Sequence, residues 1–273
     1  RFPAVMSLFE AGCPFDEAFV GRFVARGYGV LCVDYCGENG TQAHTVYPSC
    51  IDYANYVRAG SHLDRAEPSA RETSWYDWAG VARYAAKFLS TRGEVTRFGA
   101  IGLRTGGEVL FKIAPYAPIS CMISVCAAGW LAYRGLEKFA DGEQKVFDEE
   151  HHRFIAGIDS QSYAPYVRCP VLLLSAVNDK KHDYDRVYDT FQQINPEVQK
   201  AFLYSSHGNG LIGMHSLADV DLFLDKYLKE RSVFLSGPIG LSVEEDAEGN
   251  LVARATFDAE GELHECGIFY TER

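Results

Sequence analysis

The sequence predicts an α/β fold with a doubly wound parallel sheet, and three observations predict it. Short apolar runs of strand length alternate with amphipathic stretches of helix length over most of the chain. The strand-like runs are apolar throughout instead of alternating, which is the pattern of strands covered on both faces. The 273 residues, 47% hydrophobic and 23% charged, suffice for one large domain with a sizeable core.

Taken in order, "AVMSLF" (4–9) reads as a strand and "DEAFVGRFVARG" (16–27) as a helix stopped at Gly27. "YGVLCVDY" (28–35) is the next strand, "WYDWAGVARYAAKFLST" (75–91) a helix, and "FGAIG" (98–102) a strand. A helix carrying "EVLFKIA" starts at Gly106. Strands at 119–127, 170–176 and 200–205 and helices at 183–194 and 216–230 complete the alternation. Two insertions interrupt it. Residues 36–73 are polar and contain Tyr47, Tyr53 and Tyr56. Residues 128–168 include a helical stretch, "LEKFADGEQKVFDEEHHRFIAG". Both follow the carboxyl ends of strands, where loops line the ligand crevice of an open sheet, so each is either a substrate wall or a packed satellite.

Beyond "KERSVFLSGP" the pattern changes to alternating strands with "AEGN" and "AEGE" at the turns, a short antiparallel segment. This divides the chain into a main domain, 1–232, and a β-rich appendage, 233–273, which is too small for an independent sandwich and is expected either to pack on the main body or to be the front part of a truncated one. Residues 240–273 carry a net charge of −7 out of −11 for the whole chain. That balance argues against nucleic-acid binding. No apolar run reaches the ~18 residues of a membrane span. The eight cysteines lack metal-ligand spacing, and several lie in strand-like runs, as reduced core thiols of a cytoplasmic protein would. The chain opens on Arg1 without a visible leader, which leaves secretion open if a segment precedes it.

The stretch "GAIGLRTGGEVL" (99–110) carries the chemistry. It is a strand, a Gly-bounded turn and a helix, the layout of a G-x-S-x-G nucleophile elbow. Gly102 and Gly106 flank the apex, but the apex is Arg104. A guanidinium stays protonated at any working pH and has no lone pair with which to attack a carbonyl. Thr105 lies one position off the apex and is expected to offer only its backbone N–H.

With this elbow, then "YAPYVRCPVLLLSAVND", then the His-containing loop "YSSHGNGLIG", residues 1–230 resemble the α/β-hydrolase superfamily, in particular its acetyl-xylan-esterase, dienelactone-hydrolase and prolyl-oligopeptidase-like members. The resemblance implies an α/β-hydrolase fold whose first antiparallel strands are absent from this chain. It places the triad acid at Asp179, with Asp183 and Asp185 as fallbacks, and the triad histidine at His207. It places the oxyanion loop at Phe9, Glu10, Ala11 and Gly12. His207 is also readable as a solvated loop residue, and Asp183 as a helix-capping carboxylate. Glu10 would oppose a developing oxyanion unless it points outward.

Arg104 at a helix N-terminus is an anion-binding candidate. Its partner is either internal, Glu10 or Asp179 plugging the pocket, or an external carboxylate or phosphate; the internal pair is favoured. The expected function is an esterase-like protein that is not a serine hydrolase. The alternatives are an active acyl-ester or carbohydrate-ester hydrolase using another group, and a lyase with His207 as base and Arg104 holding a substrate carboxylate. No cofactor or metal is expected, and the oligomeric state stays open. His151 and His152 are adjacent and diverge on a helix, "GENG" (37–40) follows no phosphate-loop pattern, and Trp75, Tyr76 and Trp78 suit a core better than a sugar platform.

Overall fold

The computed structural model describes residues 1–37, 44–133, 148–179, 181–206, 213–233 and 240–256. Contacts divide the chain into two compact units, Arg1–Arg231 and Ser232–Arg273.

The first unit contains β1 (Phe2–Leu8), α1 (Glu17–Ala25), β2 (Gly29–Cys32), α2 (Ser74–Thr91), β3 (Val95–Leu103), α3 (Thr105–Ile113), β4 (Met122–Val125), α4 (Glu149–Gly157), β5 (Val171–Ala176), α5 (Tyr184–Gln193), β6 (Lys200–Ser206) and α6 (Met214–Leu228). The strands form one sheet in the order β2-β1-β3-β4-β5-β6, with every pairing parallel. Parallel neighbours need crossovers, and the helices supply them. Both faces are therefore covered, and the central strands β4 and β5 are buried along their whole length. Polar caps set the helix starts. The side chains of Asp16, Thr73, Asp148 and Asp183 accept backbone N–H groups of the first turns of α1, α2, α4 and α5.

The chain moves from β1 outward to β2 and then returns to the other side of β1 as β3. The strand order reverses there, and the crevice between the carboxyl ends of β1 and β3 is the expected ligand position of an open α/β sheet.

The sequence pattern extends the second strand over 28–35, but β2 stops at Cys32. Asp34 turns the chain: its Oδ1 accepts the N–H of Gly37 at 2.8 Å and its Oδ2 that of Thr45 at 3.3 Å. The first insertion is a packed satellite among the described residues. Its backbone forms short 3₁₀ turns, and the indoles of Trp75 and Trp78 donate to the carbonyls of Leu63 (2.9 Å) and Ala54 (2.7 Å). Both tryptophans are buried, whereas Tyr76 is exposed. In the second insertion only residues 148–157 of the expected helix lie within the described residues, with Asp148 as the cap and Glu149–Gly157 helical. The backbone just before it is strained: Cys126, Ala128 and Trp130 all have positive φ, between 48° and 67°.

In the second unit, β7 (Gly240–Glu245) and β8 (Leu251–Thr256) form an antiparallel hairpin. The "AEGE" turn and the rest of the alternating segment, residues 257–273, lie outside the described residues. No helix among the described residues is long and apolar enough to cross a membrane.

Candidate functional site at the β1–β3 crevice

Arg104 sits at the carboxyl end of β3, immediately before α3, with φ 50° and ψ −114°. A non-glycine residue there carries about 1–3 kcal/mol of backbone strain. The turn is pinned from both sides. Arg104 N–H donates to the Val125 carbonyl of β4 at 2.9 Å, and its own carbonyl accepts Glu108 N–H at 3.0 Å. The flanking glycines make the turn possible. A Cβ on Gly102 would lie 2.6 Å from Gly107 Cα, and one on Gly106 would lie 2.8 Å from the Phe9 carbonyl oxygen. The helix start is thus packed directly on the backbone of β1 and its loop.

The Arg104 side chain is nearly buried, and its partner is Glu10. Nε lies 3.5 Å from Glu10 Oε2, and Lys181 Nζ lies 3.4 Å from Oε1 of the same carboxylate. Glu10 therefore faces the apex, with part of its side chain still in contact with solvent. A single contact of this length on a partly exposed carboxylate is worth about 1 kcal/mol at most. Glu10 also raises the pKa of the nearby Cys13 thiol, on top of the larger effect of burial.

Asp179, two strands away after β5, does not reach Arg104 by any described contact. It is buried, and its Oδ1 accepts the backbone N–H groups of Lys181 (2.9 Å) and His182 (3.2 Å). Its Oδ2 is buried without a hydrogen-bond partner among the described residues. Asp183 is spent as the N-cap of α5, accepting Asp185 N–H at 3.0 Å, and Asp185 lies in that first turn. His207 lies outside the described residues. His215 falls in the first turn of α6.

Within the loop after β1, Phe9 is buried with its ring 5.3 Å from that of Phe15 and 5.9 Å from that of Phe19. Ala11 N–H is already occupied: it donates to Thr105 Oγ1 at 2.6 Å. The same hydroxyl lies 2.9 Å from Tyr35 OH, which donates to the Phe9 carbonyl at 2.6 Å. Gly12 completes the turn that Cys13 N–H closes on the Glu10 carbonyl at 3.1 Å. Thr105 thus fastens the elbow to this loop instead of facing the apex.

Beneath the elbow lies a buried polar cluster that sequence reasoning missed. Glu108 is fully buried on α3. Its Oε1 accepts Ala128 N–H at 2.6 Å, its Oε2 accepts the Ser160 hydroxyl, and His182 Nδ1 lies 3.4 Å from Oε1. Lys112 Nζ lies 4.0 Å from Glu108 Oε2 and donates to the Glu108 carbonyl at 3.1 Å. Burial pushes the Lys112 amine down to about 8, and pushes the neighbouring Asp159 carboxyl up to about 6. Asp159 accepts the N–H groups of Leu131 and Ala132. The two carboxyls thereby hold the strained segment after β4. A signal was present in the sequence, since Glu108 and Lys112 stand four apart within the apolar run "EVLFKIA".

Among the described residues no group of three or more His, Cys, Asp or Glu side chains could hold a metal. His151 pairs with Asp148 at 2.7 Å.

No protein-family model matches the sequence, and no curated protein matches it. Solved structures do match. Acetyl xylan esterase 1 from Thermoanaerobacterium sp. superposes with a TM-score of 0.58 at 16% identity, over 84% of this chain and 75% of that one. An esterase of Pyrococcus furiosus gives 0.54 at 15%, over 83% and 81%. The Pyrococcus horikoshii acylaminoacyl peptidase gives 0.56 at 14%, over 86% of this chain but only 39% of that one. Together with the six-stranded parallel sheet and its elbow, these likenesses show that the chain has an α/β-hydrolase fold, of the kind that esterases and peptidases use.

Proposed function

We propose that this chain is an esterase-like protein without serine-hydrolase activity, in which the Glu10–Arg104–Lys181 ion pairs close the crevice over a retained elbow. The carrying observation is the apex itself. Arg104 occupies the strained position with no lone pair to offer, and Glu10 faces it at 3.5 Å. The serines nearest in the sheet, Ser7, Ser124 and Ser175, are buried within their strands and cannot reach a substrate. Ala11 N–H, a loop donor of the type that would serve an oxyanion, is engaged by Thr105.

A second reading is favoured by the looseness of the pair. A ligand carboxylate could replace Glu10 and engage the guanidinium with two teeth instead of one. By likeness to an acetyl xylan esterase, the crevice suits a small anionic or carbohydrate-ester-like molecule.

The test is p-nitrophenyl acetate hydrolysis with a fluorophosphonate probe. The natural chain should show background turnover and no labelling. Arg104→Ser should gain labelling if Asp179 and His207 still act as acid and base. Arg104→Ser combined with Thr105→Ala should be faster still, because one oxyanion donor is worth about 10²–10³ in rate. Stoichiometric acylation of the natural chain would overturn the proposal. For the second reading, Glu10→Gln should tighten acetate binding and Arg104→Ala should abolish it.

A further inference from the structure

A groove of about 880 Å³ lies between α2, the carboxyl end of α3 and the segment around Gly157–Tyr163. It is separate from the elbow: Lys112, on its floor, is two turns along α3 from Thr105. Its volume is in the range of small-molecule sites.

Its chemistry is unlike that of the chain as a whole. The protein carries a net charge of −11, yet the groove is lined by Arg71, Arg83, Lys87 and Lys112 and by no Asp or Glu. Arg71, Arg83 and Lys87 make no ion pair among the described residues. Lys112 is buried, and its nearest carboxylate oxygen is the 4.0 Å one of Glu108. Arg71, Arg83 and Lys87 thus share the groove with a fourth cation, Lys112, whose counter-charge lies on the far side at Glu108, and an entering anion offsets the repulsion among them.

The walls are aromatic. Trp75 lies under the Lys112 amine at 4.8 Å from the ring centroid, and Arg83 stands 5.8 Å from the Tyr116 ring. Tyr84 and Tyr116 present 76% and 65% of their surface to solvent, a large exposed area for two rings flanking one groove. Gly80, on the face of α2 that lines the groove, has open space where a side chain would stand.

We infer that this groove binds aromatic carboxylates, with the ring between the exposed tyrosines and the carboxylate at the Arg83–Lys87–Lys112 cations. The guanidinium of Arg83 supplies planar paired donors, and the buried Lys112 amine supplies a poorly hydrated charge at the floor. Because burial depresses the Lys112 amine, a bound carboxylate restores its protonated form and binding takes up protons at mildly alkaline pH.

The experiment is calorimetric titration of the full chain with 2-naphthoate, 2-naphthamide and acetate. Naphthoate should bind saturably at millimolar concentrations or below. The uncharged amide and the ring-free acetate should each bind at least about tenfold more weakly, which is about 1.4 kcal/mol. Arg83→Ala with Lys87→Ala, both exposed, should weaken naphthoate by about tenfold or more. Gly80→Phe fills the groove and should abolish binding while thermal unfolding shows an intact fold, and Arg104→Ala should leave it unchanged. Equal affinity for the amide or for acetate overturns the inference. So does undiminished binding in Gly80→Phe, or loss in Arg104→Ala, which would move the ligand to the elbow.

Discussion

Removing the Glu108 carboxyl should be among the costliest single changes on α3. Glu108 is fully buried and accepts from Ala128 N–H and from the Ser160 hydroxyl. Glu108→Ala leaves both donors buried without an acceptor, at about 1–3 kcal/mol each, or roughly 4 kcal/mol together. It also leaves the Lys112 amine without the carboxylate that lies 4.0 Å from it. Lys112→Met should cost less. It leaves the Glu108 carboxylate without its cation, but it removes a desolvated charge, places an apolar chain of similar volume against Trp75 and leaves the Ala128 and Ser160 donors their acceptor, so its loss should be about 1–2 kcal/mol. Urea unfolding with a common slope measures both. In a unit of this size about 4 kcal/mol corresponds to a fall in Tm of roughly 8–16 °C. A loss below about 1 kcal/mol for Glu108→Ala would refute the view that this carboxyl organises the segment after β4. Equal losses for the two variants would refute the asymmetry between them.

Three further outcomes are expected. The folded Lys112 amine titrates near 8 and the unfolded one near 10.5, so the folded state binds fewer protons in between. Stability therefore rises with pH across that window, by up to about 3 kcal/mol, and Lys112→Met should flatten the rise in pH-dependent urea melts. Asp159 has the opposite sign: with a folded value near 6 against 3.8 unfolded, it lowers stability as pH rises through that interval. The loss, up to about 3 kcal/mol, should vanish in Asp159→Asn. Gly102→Ala drives a methyl to 2.6 Å from Gly107 Cα and should cost about 2 kcal/mol or more in thermal unfolding.

The alternation of strands and helices was legible because parallel strands buried on both faces carry uninterrupted apolar runs, as "VLLLSA" and "MISV" do. The end of β2 was not, because it depends on the Asp34 carboxylate capturing the N–H of Thr45 eleven residues later. The elbow could be read from two glycines and an apex. Its partner could not be fixed, since Glu10 and Arg104 are 94 positions apart and meet only because β1 and β3 are neighbours in the sheet. Asp179 was an equal candidate on paper, yet its turn engages its own following N–H groups. Lys181 gave no signal at all. As an exposed lysine in "NDKKHD", it acquires meaning only where the loop after β5 comes near the one after β1.

The bond from Ala11 to the Thr105 hydroxyl has a consequence for motion. A loop amide normally swaps its proton for deuterium quickly, through small local openings. Releasing this one requires the Thr105 side chain, shared with Tyr35, to let go of a helix packed against the sheet. Ala11 should therefore retain its proton about as long as the strand beside it, and the crevice rim should open only when the elbow does.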